Sequence, residues 1–230
     1  MQLKDYEYFK TDRGILYKGN CEEIIPLIQE NVTLTLTDYP YNEVNRKSNG
    51  LRQLDKGGAD VMDIDLSKIT NMIINITTGS VYTFCGTKQI SDILKVMSDN
   101  NMSTRVIVWE KPNPSPMNGK HIWLSGVELC AYGKKPNATY NGFCEKNILR
   151  FNIERGIDHT TPKPIGMFEK IIQMSSNEND TIFDPFMGSG TTALACEKLN
   201  RNWIGIEIDE TYCKYIRQRV ETYTAQPNLF

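Results

Sequence analysis

Phe183-Asp184-Pro185-Phe186-Met187-Gly188-Ser189-Gly190-Thr191-Thr192 is the stretch on which the fold turns. Thr181–Asp184 has the length and composition of a short buried strand, and it ends on an acid. A Gly-x-Gly turn follows. Thr191–Leu199 then reads as a helix whose two leading threonines can cap its first N–H groups. Glycines let a backbone approach a ligand closely, and the unpaired N–H groups at a helix start attract a carboxylate or phosphate. The next strand, Trp203–Ile208, carries Glu207. An acid about twenty residues after the turn is placed to accept from ribose hydroxyls in a nucleoside-binding βαβ unit. A phosphate-binding P-loop needs a lysine after Gly190, where Thr191 stands. A dinucleotide fingerprint tolerates Ala193 as its third small residue but gives no reason for Asp-Pro-Phe. A bare tight turn leaves the two spaced acids unexplained.

Outward from this stretch, strands and helices alternate. Upstream lies the helix Pro164–Met174, and downstream the helix Tyr212–Thr222. The first half repeats the pattern: a helical period over Asn20–Glu30, a strand from Val32 to Asp38 and an amphipathic stretch at Leu66–Ile76. Then come strand Ser80–Cys85, helix Lys88–Met97, and strands Arg105–Trp109 and Val127–Tyr132. Alternation of this kind predicts an α/β fold with a mostly parallel sheet and helices on both faces. Residues 42–65 are polar throughout and read as a long loop, and Pro136–Ile157 is poorly periodic.

The chain has 230 residues, which suits a single domain spanning 1–230, and 40% of them are hydrophobic, enough for a real core. No apolar run is long enough to span a membrane and no apolar signal region opens the chain, so a cytoplasmic protein is expected. Six cysteines are spread widely without a Cys-x-x-Cys, and only two histidines accompany them, so no metal site is expected and the thiols should be reduced. The net charge of −2 argues against a generally basic nucleic-acid binder. Between Lys111 and His159, however, seven Lys/Arg against four acids leave +3.

A second stretch, Thr37-Asp38-Tyr39-Pro40-Tyr41, ends the strand that begins at Val32. Pro40 restricts Tyr39 to extended conformations and turns the chain, leaving Asp38 and Tyr41 at a strand's carboxyl end. Taken alone it is an ordinary strand exit.

Together the two stretches resemble a known family. Asp184–Thr192 with Glu207 resembles the S-adenosylmethionine-binding motif of the amino-group DNA methyltransferases, and Thr37–Tyr41 resembles their catalytic Asp-Pro-Pro-Tyr motif. Catalytic motif first and cofactor motif late is similar to the family's circularly permuted β group, which implies a Rossmann-like methyltransferase fold with a small target-recognition insertion. Tyr17-Lys18-Gly19-Asn20-Cys21 resembles the segment that lies against the cofactor's adenine. Val108-Trp109-Glu110-Lys111-Pro112 with Glu128 resembles the Trp-x-Lys strand and the acidic strand after it. His159-Thr160-Thr161-Pro162-Lys163-Pro164 resembles the segment before the helix at the cofactor's methionine end. Tyr39 stands where the family usually has proline, and Asn20 where it usually has aspartate.

The resemblance implies methyl transfer from S-adenosyl-L-methionine to an exocyclic amino group of a base in double-stranded DNA. Asp38, Tyr39, Pro40 and Tyr41 would be catalytic. Asn20, Cys21, Lys163, Asp184, Phe186, Gly188, Ser189, Gly190, Thr191, Thr192 and Glu207 would bind the cofactor. Aspartate at the head of the catalytic motif resembles the N6-adenine enzymes, with N4-cytosine modification or a catalytically weakened binding protein as alternatives. No Pro-Cys dipeptide occurs for cytosine-C5 chemistry. The β order puts target recognition at 134–158, with the 42–65 loop sharing the task. Arg46, Lys47, Arg52, Lys56, Lys134, Lys135, Lys146, Arg150 and Arg155 are the resulting candidates for DNA contact. Small enzymes of this order resemble phage or restriction–modification methyltransferases, which implies a cognate restriction endonuclease, and many pair as homodimers.

Overall fold

Strand β3 (Val32–Asp38) is the middle strand of a nine-stranded sheet and is buried along almost its whole length. This computed structural model describes residues 1–40, 65–115, 122–153 and 162–225. Before β3 come β1 (Glu7–Lys10), β2 (Gly14–Lys18) and the short α1 (Cys21–Ile24). After it follow α2 (Leu66–Ile76), β4 (Thr77–Cys85), α3 (Ile90–Asp99), β5 (Ser103–Glu110), β6 (Val127–Lys134) and β7 (Ile148–Arg150). The chain closes with α4 (Ile165–Ser175), β8 (Thr181–Asp184), α5 (Thr191–Lys198), β9 (Asn202–Glu207) and α6 (Glu210–Thr224). Among the described residues the strand order is β1-β2-β9-β8-β3-β4-β6-β5-β7.

Side chains alternate across each strand, so neighbouring residues enter different cores. Leu16, Tyr82 and Ile182 pack on one face with Met167, Phe168 and Ile172 of α4 and Ile216 and Val220 of α6. Tyr17, Val81 and Phe183 pack on the other with Ile24 of α1, Ile69 and Ile73 of α2 and Ile93 of α3. Both faces are therefore covered, as the alternation of elements predicts.

The parallel run β2-β9-β8-β3-β4 matters most for function. It brings the carboxyl ends of five strands to one edge. Lys18 pairs with Glu207, Asp184 with Gly205, and Asp38 with Phe84. Ligands of open α/β sheets bind at such edges.

The structure departs from the sequence reading in two places. Strands β1, β2 and β7 were not expected; β1 and β7 are only four and three residues long, too short for a period to show. Helix α1 stops at Ile24 and continues as a single 3-10 turn over Ile25–Leu27, where Pro26 supplies no N–H for a helical hydrogen bond. Of the expected recognition stretch 134–158, residues 134–153 are described. Lys134 ends β6, and Ile148–Arg150 adds an edge strand parallel to β5. The 42–65 loop lies almost wholly outside the described residues. No described helix is long and apolar enough to cross a membrane. All six cysteines are free, Cys144 exposed and the others buried.

Candidate active site

The two diagnostic stretches meet through a residue that neither reading singled out. Thr37, buried at the end of β3, donates its hydroxyl to Asp184 Oδ1 at 2.7 Å. Asp184 is itself buried, and its remaining acceptor positions are filled by the Phe186 N–H at 3.1 Å and the Thr192 hydroxyl at 2.6 Å. Burial raises its pKa to about 6 in spite of these donors. Asp184 therefore shapes the glycine turn and ties it to the catalytic strand. The threonines do not cap α5 as expected: Gly190 is the N-cap and receives no side-chain hydrogen bond. Thr192 anchors to Asp184, and Thr191 lies 3.0 Å from the Ser189 hydroxyl.

Tyr39 points into the core rather than toward the edge. It is 1% exposed, its ring meets Phe186 edge-on at 5.4 Å and 78°, and its hydroxyl is 3.0 Å from Thr70 Oγ1 on α2. Its N–H donates to the Phe84 carbonyl at 2.9 Å, continuing the ladder of β3 and β4. The Pro40 carbonyl accepts from Gln89 Nε2 at 3.1 Å, while Gln89 Oε1 accepts from the Gly86 N–H at 2.8 Å. A carbonyl has a second lone pair, so Pro40 keeps acceptor capacity while Gln89 fixes its direction. Tyr41 lies outside the described residues.

Asp38 is the terminus of a chain of alternating charges. Lys163, 7% exposed and with its ammonium 5.4 Å above the Phe84 ring, pairs with Asp38 and reaches Glu128 Oε2 at 3.2 Å. Lys111 closes the other side of Glu128 at 2.6 Å. Burial opposes charge on Lys163, but the carboxylates of Asp38 and Glu128 outweigh it and hold the lysine cationic, with its pKa raised. Burial likewise opposes ionisation of Glu128, and Lys163 and Lys111 reverse the balance and lower its pKa. Buried charges persist only when paired in this way.

A second group of candidate residues lies where β2 and β9 end. Gly188 has φ +50°, a conformation that favours glycine, and an added Cβ would rest in van der Waals contact with the Phe186 carbonyl at 3.8 Å. Glu207 accepts from the backbone N–H groups of Gly188 at 2.8 Å and of Ile208 and Asp209 at 2.9 Å each. Burial nonetheless pushes its pKa up to about 7. Gly19 donates to the Glu207 carbonyl at 3.0 Å, which sets Asn20 and Cys21 beside it. Asn20 caps α1 through the Glu22 N–H, and Cys21 is buried. Arg219 of α6 grips the Ser189 carbonyl at 2.5 Å, and Lys163 offers its own carbonyl to Thr191 at 3.5 Å. An acid, a glycine cradle and an acceptor carboxylate thus share one sheet edge.

A family model described as DNA methylase, covering the N6 and N4 enzymes, matches residues 32–218. The chain belongs to this DNA methylase family. The methylase is 26% identical to the Type II methyltransferase M2.MboI of Moraxella bovis, over 97% of this chain and 93% of that protein. It is 25% identical to the Type II methyltransferase M.HinfI of Haemophilus influenzae, over 93% of this chain and 70% of that protein. Among solved structures, the M1.HpyAVI–SAM complex aligns with TM-score 0.71 and 28% identity, covering 89% of this chain and 98% of that one. PvuII DNA methyltransferase, described as cytosine-N4-specific, shares the fold with TM-score 0.70 at 17% identity, covering 96% of this chain and 89% of that one.

The sheet sorts the methylase's candidate DNA contacts. Because β6 runs antiparallel to β4, Lys134 pairs with Ser80 and Leu129 with Cys85. Lys134 and Lys135 therefore come to the sheet end remote from Asp38, and Lys135 donates to the Ile74 carbonyl at 2.8 Å instead. Arg150 does reach the catalytic edge, exposed and 2.8 Å from Glu110, and Lys146 is exposed ahead of β7. Arg46, Lys47, Arg52, Lys56 and Arg155 lie outside the described residues. Sequence reasoning missed Thr37, Thr70 and Gln89. For Thr37 and Thr70 a hydroxyl inside an apolar run was the available signal, since a buried polar group needs a partner; Gln89, after Gly86-Thr87-Lys88, carried none.

Proposed function

We propose that this methylase transfers a methyl group from S-adenosyl-L-methionine to the N6 amino group of adenine in double-stranded DNA. The observation that carries the reading is the Thr37–Asp184 hydrogen bond, which locks the Asp38 carboxylate to the turn that would hold the cofactor. The residues present fit that cofactor: the glycine turn with Gly188 at positive φ, the carboxylate of Glu207 for ribose hydroxyls and the Asn20 amide for the nucleoside. Lys163 and Thr191 would border its methionine end. When bound, S-adenosylmethionine supplies an electrophilic sulfonium methyl.

An exocyclic amino nitrogen is a poor nucleophile because its lone pair is delocalised into the ring. Asp38 counters this as a carboxylate that accepts an amino hydrogen, and the Pro40 carbonyl, aimed by Gln89, accepts the other. Lys163 pairs with the Asp38 carboxylate and holds it in place. Tyr39 keeps the backbone carbonyl a proline would have and adds an N–H bond to Phe84, and its side chain is turned into the core, clear of this geometry. Tyr41 is proposed to stack on the base once it has left the duplex. The rest of the catalysis is positioning. Adenine is favoured by aspartate at residue 38.

The experiment is labelled methyl transfer to DNA from a methylation-free host, followed by nucleoside analysis. N6-methyladenine is expected; a product holding only N4-methylcytosine overturns the base assignment, and no transfer overturns the enzyme. Type II relatives also support a cognate restriction endonuclease as partner, which a nuclease gene beside this one would bear out.

A further inference from the structure

We infer that Trp123 is a DNA-contacting residue that stacks on the duplex beside the position of the target base. This rests on the proposed action on double-stranded DNA. The chain contains three tryptophans. Trp109 and Trp203 are buried at 3% and 1% exposure, and their indole N–H groups donate to the Phe151 carbonyl and to Glu197 at 2.8 Å each. Trp123 is 96% exposed. Its neighbours Ile122 and Leu124 are exposed as well, and so is Val127 at the start of β6. Four large apolar side chains within six residues, all facing water, mark a surface that something covers.

The position says what covers it. Val127 pairs with Glu110, and the next residue on β6 is Glu128, whose carboxylate reaches the lysine that pairs with Asp38. Trp123 is five residues from Glu128, so its Cα lies within about 18 Å of it even if the chain is fully extended. At 3.4 Å per nucleotide along a strand, that is about five base pairs from Glu128, which Lys163 in turn links to Asp38. The segment is also anchored. Lys111 N–H donates to the Gly126 carbonyl, and Gly126 N–H to the Leu124 carbonyl, each at 2.8 Å, which fixes the end of the apolar run to the end of β5. Arg150, exposed and on the same edge, offers a cation to the phosphates flanking such a contact.

A base drawn out of a duplex leaves an unstacked gap, and apolar or aromatic side chains that enter a base step recover part of that loss. An indole exposed over almost its whole surface, five residues from Glu128, is suited to this. A second copy of the chain would cover the same residues by an interface with no need for the catalytic edge.

The test uses the full chain and sheared genomic duplex from a methylation-free host. Because the other two tryptophans are buried away from any bound duplex, the change in emission on adding DNA should come chiefly from Trp123. Duplex should quench and shift the emission of the wild type, and this change should be largely lost in Trp123→Phe. Trp123→Ala should lower duplex methylation by about tenfold or more, with Trp123→Phe retaining most of it and S-adenosylmethionine affinity unchanged in both. Wild-type rates in Trp123→Ala, while the wild type itself methylates, overturn the role of Trp123 and spare the DNA reading. Absence of transfer in the wild type overturns both. An emission shift that follows protein concentration without DNA, with a dimer in sedimentation, assigns the patch to a second copy and overturns the proposal.

Discussion

At the residue scale, burial raises Glu207 from an ordinary value of 4.5 to about 7, and Asp184 from 3.8 to about 6, although both accept several hydrogen bonds. Between the unfolded and folded values the folded chain holds protons that the unfolded chain has released. The stabilisation this gives is full below the unfolded values and is lost as pH rises through about 6 and 7. The melting temperature of the cofactor-free protein should therefore fall as pH is raised through that window, and Glu207→Gln should flatten part of the fall. Cofactor affinity should run the opposite way. Ribose hydroxyls are better held by ionised Glu207, so affinity should rise toward pH 7 by up to about tenfold per unit and then level off. Calorimetric titration across this range checks it; a flat profile in the wild type counts against the ribose role. Asp38→Ala should abolish methyl transfer while changing cofactor affinity by no more than about twofold, since the interaction it removes matters in the transition state. Lys163 keeps Glu128 as a partner in that variant, which should limit the loss of stability.

At the element scale, Tyr39 joins three pieces: the exit of β3, Thr70 of α2 and Phe186 of the glycine turn. Tyr39→Phe should cost about 1 kcal/mol, because Thr70 can turn back to a helical carbonyl. Tyr39→Ala should cost about 3–5 kcal/mol through the cavity it opens. Denaturant midpoints separate the two. The turn before α5 is equally constrained. Gly190 has φ +76°, and an added Cβ would lie 3.1 Å from Ile216 of α6. Gly190→Ala should destabilise by about 1–3 kcal/mol and weaken cofactor binding, while the fold itself persists. The alternation of apolar residues made the longer helices and strands legible; α2 and β8 fall where the pattern puts them. The edge strands β1 and β7 were not legible. They gain their stability from pairing with β2 and β5, not from any local preference.

At the scale of the whole molecule, the direction of β6 decides which cations can meet DNA. Lys134→Ala should leave DNA affinity unchanged, whereas Arg150→Ala should weaken it and lower the salt dependence by about one ion. Binding measured across a salt series gives both numbers. The local chemistry of the chain was determined by the sequence alone: the acid-glycine-threonine turn, the later acid, the proline-bent strand exit and their order, each set within a few residues. Tertiary structure alone decided how those pieces meet. Thr37 reaching Asp184, Lys163 bridging Asp38 to Glu128, and Tyr39 turning inward all join residues far apart in the chain. No periodicity encodes them, because they follow from the parallel register of β8, β3 and β4 and from the need of each buried polar group for a partner.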